Sequence, residues 1–335
     1  MFPSMPNDDP WDAEASQQVA RMNPGRPKAG AFGAVPDEEE DKSGAIDVDV
    51  EDDEFEEIEV VPVRRSLSAA IGGFAALLAT ALVIGSLVTG PGARTSYVIV
   101  LFGVQSLGLL AWIMALQPPA AAATAGIVAV TALAADYLAA TGEPGALTPL
   151  LLTALGGFVA AMIAQVIRAE DRQRAKDSWR TTLLIVAGVS AYSILITLTR
   201  VPLGAQAILV CCVGAGMALL VARLTDAVFP KPRIALQVPR GATGIVLGAM
   251  LGTLAGALLG SYLIFPFTPT KGAVLGLVAA VAAHLIDLAV NFGEAGRRLA
   301  GDAPTFWLAR HMQGPLGGFA LTAFTAYLLL HWYLV

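Results

Sequence analysis

The stretch GIVLGAMLGTLAGALLG, residues 244–260, decides the fold because it places a glycine at every fourth position of an apolar run. In water, each glycine inside a helix costs roughly 1 kcal/mol relative to alanine, so a soluble helix could hardly sustain this pattern. In lipid, small residues favour helix association because they let neighbouring backbones approach closely. The stripe therefore predicts a transmembrane helix packed on another helix of the same chain. A contact between two copies of the chain, or a sliding surface in a transporter, is the alternative. The glycines are Gly244, Gly248, Gly252, Gly256 and Gly260.

The composition of the whole chain agrees with a membrane location. Of the 335 residues, 56% are hydrophobic and only 14% are charged, which is far outside the range of soluble globular domains. Runs of about 20 apolar residues, the length that a helix needs to cross a bilayer, recur from Ser66 onward. The sequence therefore predicts an all-α, polytopic integral membrane protein with about nine transmembrane helices. The predicted spans are 66–89, 97–116, 120–140, 147–167, 181–199, 203–222, 242–264, 272–292 and 315–334.

Charge is distributed unevenly along the chain. The first 59 residues hold 18 of the 27 acidic residues and only four of the 21 basic ones. Such a segment repels itself and offers too little apolar surface to offset the entropy of ordering. We predict that residues 1–65 form a disordered, acidic cytoplasmic tail, and that residues 66–335 form a helical transmembrane domain. The tail is a candidate docking segment for a cytoplasmic protein.

The basic residues predict the orientation of the spans. With the tail in the cytoplasm, the cytoplasmic connections hold 14 Lys and Arg residues and the outer connections hold three, as the positive-inside rule requires. An odd number of spans then places the C-terminus outside, where Trp332 and Tyr333 form an aromatic anchor. Sparse lysine and abundant Ala, Gly, Val and Leu are typical of a GC-rich bacterial genome. We therefore expect a multi-pass protein of a bacterial inner membrane.

Ionisable residues within the spans are candidates for function, because charge is costly in lipid. His284 and Asp287 share one face of the eighth span, as a hydrogen-bonded pair or as parts of a proton relay. Asp136 falls near the outer end of the third span, where we expect it to snorkel or to cap the helix. Asp226 follows Arg223 at the cytoplasmic end of the sixth span, where an ion pair at the helix end is the simplest interpretation.

Other site chemistries have no support in the sequence. The three histidines are scattered, and no group of His, Cys and acidic residues has the spacing of a zinc site. Cys211 and Cys212 are adjacent in an apolar span, and we expect both to be small buried residues. Neither a phosphate-binding loop nor a Ser, His, Asp order is present. We predict no resident metal or cofactor and no nucleic-acid partner.

The order of features over the last four spans resembles the CDP-diacylglycerol synthases (phosphatidate cytidylyltransferases), a family of multi-helix membrane enzymes. Asp226 closes a span, and the basic loop PKPRIALQVPRG, residues 230–241, follows it. Asp287 resembles the aspartate of an Asp-Leu pair in a later span of the family. Arg297 and Arg298 then resemble a Lys-Arg pair of the family. The resemblance implies an active site that faces the cytoplasm.

The closing segment GPLGGFALTAFT, residues 314–325, resembles the Pro-Gly-His-Gly-Gly segment of that family but departs from it at the charged positions. Leu316 stands at the place of the histidine, and Leu321, Thr322 and Phe324 stand where charged residues follow. In the family, carboxylates there are expected to hold the Mg²⁺ that bridges CTP, which these side chains cannot do. The resemblance with these losses implies a non-catalytic relative.

Three functions are consistent with the sequence. The favoured one is a non-catalytic, synthase-like protein whose basic cytoplasmic side chains contact anionic membrane lipids, while the tail contacts a partner. The second is an active CTP:phosphatidate cytidylyltransferase with a remodelled Mg²⁺ site. The third is a proton-coupled transporter or permease that uses His284 and Asp287. The candidate lipid-binding residues are Arg223, Lys231, Arg233, Arg240, Arg297 and Arg298, and the candidate catalytic residues are Asp226, Asp287 and Glu294.

Overall fold

A computed structural model describes residues 61–88, 94–168, 172–303 and 305–334 of the chain. The predicted acidic tail lies outside these residues, apart from its last few positions. All regular secondary structure in the described ranges is helical, and the only pairing of extended chain there is an isolated bridge between Arg233 and Gly241. The prediction of an all-α membrane architecture is therefore confirmed.

The helices of the described ranges follow one another with short connections. They are α1 (Arg65–Val88), α2 (Arg94–Leu116), α3 (Ala121–Thr141), α4 (Thr148–Arg168), α5 (Arg172–Asp177), α6 (Trp179–Ala191), α7 (Ser193–Leu198), α8 (Gly204–Val228), α9 (Ala242–Tyr262), α10 (Pro269–Leu299) and α11 (Trp307–Leu329). A π-helical segment, Leu330–Leu334, continues α11 to the end of the described chain.

Eight stretches of the described chain are long and apolar enough to cross a membrane. The predicted fifth span is one of them, although it consists of two helices, α6 and α7, that meet at Tyr192. The predicted ninth span falls in α11, which has 23 residues but is not among the eight. This helix begins at Trp307 instead of Pro315, and its apolar part includes Gln313, Pro315 and Tyr327, which lower its mean hydropathy.

The glycine stripe of α9 lies between α8 and α10, and all five of its glycines are buried. A Cβ added at Gly252 would lie 2.6 Å from the carbonyl oxygen of Gly214 on α8. One added at Gly256 would lie 2.9 Å from the Cα of Gly276 on α10, and real Cβ atoms essentially never approach closer than 3.0 Å. The backbones of three helices of the same chain thus meet along this stripe.

Consecutive spans run in alternating directions, which defines two ends of the bundle. At one end, Arg297 in the last turn of α10 donates a hydrogen bond of 2.9 Å to the carbonyl of Ala115 at the end of α2. At the other end, Tyr327 of α11 donates one of 2.6 Å to the carbonyl of Gly145, which precedes α4. We call the first the arginine-rich end. The arginines of this end that bear on the site are Arg64, Arg223, Arg240, Arg298 and Arg310.

Local sequence sets the ends of these helices. At the start of α10, Thr268 is in an extended conformation and its hydroxyl accepts a hydrogen bond of 3.2 Å from the Lys271 N–H. Pro269 occupies the first turn, where a missing N–H costs nothing. This cap fixes the beginning of the helix that carries Asp287, Glu294 and Arg298 of the candidate site.

Candidate functional site

Two arginines and two aspartates form a buried ion-pair cluster where α8, α9 and α10 meet. Arg223 pairs with Asp287 across α8 and α10. The Nη1 atom of Arg240 lies 3.1 Å from Oδ2 of Asp226 and 3.4 Å from Oδ2 of Asp287. The Arg240 side chain is 0% exposed, as are both carboxylates. The two positive and two negative charges balance, which is the condition for keeping such groups in a low-dielectric interior.

The loop between α8 and α9 turns Arg240 into this cluster. The Ile234 N–H donates a hydrogen bond of 3.2 Å to the Arg240 carbonyl, and the Ala242 N–H donates one of 2.8 Å to the Pro232 carbonyl. These bonds fold residues 230–241 back on themselves. Arg240 therefore points between the helices, although a loop arginine is ordinarily solvated.

Glycines leave room for the two carboxylates. The Gly241 N–H donates a hydrogen bond of 2.9 Å to Oδ1 of Asp226, so this carboxylate faces the N-terminus of α9, where negative charge is favoured. A Cβ at Gly244 would lie 2.5 Å from the same oxygen. On α11, a Cβ at Gly314 would collide with Oδ1 of Asp287. Larger residues at these two positions would displace the carboxylates.

Asp226 forms an ion pair at the end of its span, as expected, but the hydrogen bond expected between His284 and Asp287 is absent. Arg223 pairs with Asp287 on α10, and Asp226, one turn from Arg223 on its own helix, pairs with Arg240. His284 is 3% exposed, but neither of its ring nitrogens has a hydrogen-bond partner, so the expected bond to Asp287 is not formed. The reason is that the Asp287 carboxylate faces two arginines, which bind it more strongly than a neutral imidazole does.

The expectation that Asp136 snorkels or caps its helix is also wrong. This residue is only 1% exposed. Its Oδ1 atom accepts hydrogen bonds from the amide of Gln105 on α2 and the hydroxyl of Ser193 on α7. Packing by α2 and α7 buries a position that sequence alone places near the end of a span.

A cavity of about 280 Å³ lies beside the ion-pair cluster at the arginine-rich end. A small pocket next to it shares six of its lining residues and adds Asp287 and Glu294. Together these spaces, which we call the arginine cavity, are lined by four arginines and two carboxylates, which leaves a surplus of two positive charges. The arginines are Arg64, Arg223, Arg298 and Arg310.

Glu294 lies in its own group of polar contacts on the wall of this cavity. Its Oε1 atom is 3.0 Å from Nη1 of Arg310 and 3.6 Å from Nε of Arg298. Its Oε2 atom accepts a hydrogen bond of 3.0 Å from the Thr305 hydroxyl. Of the three candidate catalytic residues, Asp226 and Asp287 share Arg240, while Glu294 has different partners. No group of three or more His, Cys, Asp or Glu side chains that could hold a metal ion occurs within the described ranges.

The structure separates the predicted lipid-binding residues. Arg223 and Arg298 line the arginine cavity, whereas Arg240 is buried behind it. Arg233 donates to the carbonyl of Val61, and Arg297 donates to the carbonyls of Ala115 and Ala303. Lys231 is exposed on the loop between α8 and α9.

Sequence reasoning missed Arg64, Arg310 and His311 as cavity residues. It counted both arginines only as markers of orientation. The expected start of the last span at Pro315 also assigned positions 310 and 311 to a connection, whereas α11 begins at Trp307. The sequence did contain a signal for such a cavity, because basic residues flank several spans at the same end.

A second, apolar cavity of about 620 Å³ lies between α2, α4, α6, α10 and α11. Val290 and Glu294 line both this cavity and the small pocket of the arginine cavity. Leu151, Leu184 and Phe324 line the apolar cavity and are also exposed on the outside of the bundle, so it opens sideways. A charged space and an apolar space therefore adjoin at Glu294.

No protein-family model, no curated protein and no solved structure matches this chain. The function is therefore inferred below from the residues of the site. The relationship to the CDP-diacylglycerol synthases stays a prediction from the order of sequence features.

Proposed function

We propose that this protein binds a lipid with a phosphate-monoester headgroup in the arginine cavity, without catalysing a reaction on it. The observation that carries the proposal is the surplus of two positive charges in a recessed space at the arginine-rich end. The Arg240 and Asp226 pair behind the cavity is internally balanced and leaves this surplus unchanged. An anionic ligand would neutralise it.

A phosphate monoester suits this cavity by charge and by geometry. Such a group carries a charge of about −1.5 to −2 at neutral pH, close to the surplus in the cavity. Arginine donates from a planar fork that matches phosphate oxygens, often through two parallel hydrogen bonds. Arg64 is exposed at the cavity, and Arg298 is 33% exposed, so both can reach a ligand that enters from the membrane surface.

The adjoining apolar cavity supports a lipid ligand over a free phosphate. Its lateral opening faces the region that hydrocarbon would occupy around an apolar bundle. Val290 and Glu294 join the two spaces, so a headgroup at the arginines could extend its acyl chains into the apolar one. Free phosphate would use the arginine cavity alone.

The charge distribution supports a cytoplasmic location for the arginine-rich end. Loops at the cytoplasmic side retain Lys and Arg, and the inner leaflet attracts basic segments through its anionic lipids. We accordingly propose a bacterial inner-membrane protein with a cytoplasmic N-terminus and an outer C-terminus. A cytoplasmic partner of the acidic tail belongs to this proposal as well.

The ion-pair cluster favours binding over phosphoryl transfer. Mg²⁺ in phosphoryl-transfer sites is held by one or two carboxylates together with substrate phosphates. Asp226 and Asp287 are each bound by arginine, so a divalent cation would add charge to a balanced cluster beside Arg240. Leu316, at the histidine position of the synthase family, and Thr322, at one of its charged positions, are buried in α11 and supply no carboxylate.

A titration with water-soluble lipids tests the proposal. The detergent-solubilised full chain is titrated with short-chain phosphatidic acid, short-chain phosphatidylcholine and inorganic phosphate. We expect saturable binding of phosphatidic acid, much weaker binding of inorganic phosphate, and none of phosphatidylcholine. The double variant Arg64→Gln, Arg298→Gln should bind phosphatidic acid more weakly. The matched control is Lys176→Gln, which changes an exposed residue of α5. Equal affinity in both variants would overturn the proposal.

A further inference from the structure

A second polar cluster lies inside the bundle, apart from the arginine cavity. Gln105 of α2 and Asp136 of α3 are each 1% exposed, and Ser193 of α7 is 0% exposed. The Gln105 amide donates hydrogen bonds of 2.9 Å to Oδ1 of Asp136 and 3.2 Å to the Ser193 hydroxyl oxygen. The Ser193 hydroxyl donates one of 2.6 Å to the same Asp136 oxygen. Side chains from three helices thus converge on one carboxyl group.

Two oxygen atoms of this cluster have no partner. They are Oδ2 of Asp136 and Oε1 of Gln105, and both are buried. No ion pair joins Asp136 to a basic side chain in the described ranges. An ionised carboxylate in such a place costs several kcal/mol unless a positive charge accompanies it. The cluster therefore lacks one unit of positive charge.

No described basic side chain of the neighbouring helices supplies this charge. The described side chains that face Asp136 are the neutral Gln105 of α2 and Ser193 of α7. Arg200, which follows α7, directs its two terminal nitrogens to the carbonyls of Ala139 and Gly142 at the end of α3. The basic residues of α4 and α6, Arg168 and Arg180, lie at the arginine-rich end of those helices.

Another buried polar cluster in the same bundle shows the contrast. Gln165 of α4 donates hydrogen bonds of 3.1 Å to Thr124 and 2.8 Å to Thr182, and its Oε1 atom accepts one of 2.5 Å from Ser178. Both ends of this amide are satisfied, and the cluster contains no ionisable group. This polar contact between helices is thus built without an unpartnered oxygen in its amide and without a charge to balance.

We infer that Asp136, Gln105 and Ser193 form a binding site for one small monovalent cation. A proton would be held on Oδ2 of Asp136, from which it could be donated to Oε1 of Gln105. Na⁺ would be held by oxygen atoms of the three side chains, because hard cations prefer carboxylate, amide and hydroxyl oxygens. Either ion supplies the missing charge.

The site lies close to one end of its helix. Asp136 lies five residues before the end of α3, which corresponds to about 7.5 Å along the helix axis. That end is opposite the arginine-rich end, so the cation would exchange with the outer side in the proposed orientation.

The inference does not depend on lipid binding in the arginine cavity.

The experiment has two readouts on the full chain in lipid nanodiscs at neutral pH. The first compares the midpoint of thermal unfolding in Na⁺ with that in an equal concentration of N-methylglucamine. The second records the infrared carboxylic-acid band. Both are measured for the wild type, Asp136→Asn and Asp302→Asn, the last being an exposed control acid.

A sodium site predicts a higher midpoint in Na⁺ for the wild type and the control, and no difference for Asp136→Asn. A proton site predicts a carboxylic-acid band in the wild type and the control that Asp136→Asn removes. The measurements on the wild type remain informative even if Asp136→Asn does not fold. Ser193→Ala provides a second variant, in which the Asp136 carboxyl group is kept. A wild type with neither a sodium effect nor a protonated carboxyl would overturn the inference.

Discussion

The guanidinium of Arg240 joins carboxylates of two different helices, since its Nη1 atom lies 3.1 Å from Asp226 on α8 and 3.4 Å from Asp287 on α10. A loop residue thereby links the ends of α8 and α10 that we propose to be cytoplasmic. The same cluster forms the inner wall of the arginine cavity through Arg223 and Asp287. Stability of the bundle and shape of the site thus depend on one ion-pair cluster.

Replacing Arg240 by leucine should strongly destabilise the protein. The change leaves two buried carboxylates with Arg223 alone, and breaking a buried pair by removing one partner typically costs about 3–5 kcal/mol. Denaturation of the purified protein in mixed micelles measures the effect. Adding Asp226→Asn should restore part of the loss because it restores the charge balance, while Lys231→Leu on the same loop should be nearly neutral. No difference between Arg240→Leu and Lys231→Leu would contradict the cluster.

Replacing Glu294 by glutamine should strengthen the binding of phosphatidic acid. The change removes a negative charge that lies 3.0 Å from Arg310 and raises the positive surplus of the cavity. Two unit charges about 4 Å apart in water interact by about 1 kcal/mol, so we expect roughly a fivefold gain in affinity. The same titration with Asp302→Asn controls for the net charge of the chain. A lower affinity for Glu294→Gln would show that Glu294 contacts the ligand favourably.

Replacing Gly256 by alanine should loosen the contact between α9 and α10. The added Cβ would lie 2.9 Å from the Cα of Gly276, and backbone cannot move aside cheaply. Overpacking of this kind costs typically about 1–3 kcal/mol. Gly103→Ala on α2 is the matched control, because nothing lies within 4 Å of its added Cβ. Unfolding midpoints that fall equally for both variants would contradict the close approach of the helices.

Incubation of the purified protein with CTP, phosphatidic acid and Mg²⁺ should release no pyrophosphate. The reason is that arginines bind both Asp226 and Asp287, two of the carboxylates that a remodelled Mg²⁺ site would need. A phosphate-release assay coupled to pyrophosphatase measures the reaction. Pyrophosphate that forms only when all three components are present would instead identify a cytidylyltransferase.

The helical architecture could be predicted because the signals for it are local. Apolar runs of membrane-crossing length predicted most of the spans to within a few residues, as for α9, which begins at the predicted Ala242. The glycine stripe likewise indicated a close helix contact. Its actual neighbours, α8 and α10, depend on how the chain folds back, which no local pattern specifies.

The site could be predicted only in part, because its pairings are non-local. Sequence spacing suggested that Arg223 would pair with Asp226, but packing brings Asp287 closer and turns Arg240 inward. The burial of Asp136 depends in the same way on Gln105, which lies 31 residues earlier in the chain. Hydropathy patterns describe each helix alone and therefore do not reveal which polar groups meet.

The central claim, that a phosphate-monoester lipid occupies the arginine cavity, is tested most directly by photo-crosslinking. A phosphatidic acid analogue with an unmodified phosphate and a photoreactive group close to its glycerol backbone is added to the full chain in nanodiscs, and the labelled peptides are identified by mass spectrometry. Our account predicts labelling of the segments that contain Arg64, Arg298 and Arg310, and its loss when excess phosphatidic acid competes. Labelling confined to the opposite end of the bundle, or labelling that phosphatidic acid does not reduce, would contradict it.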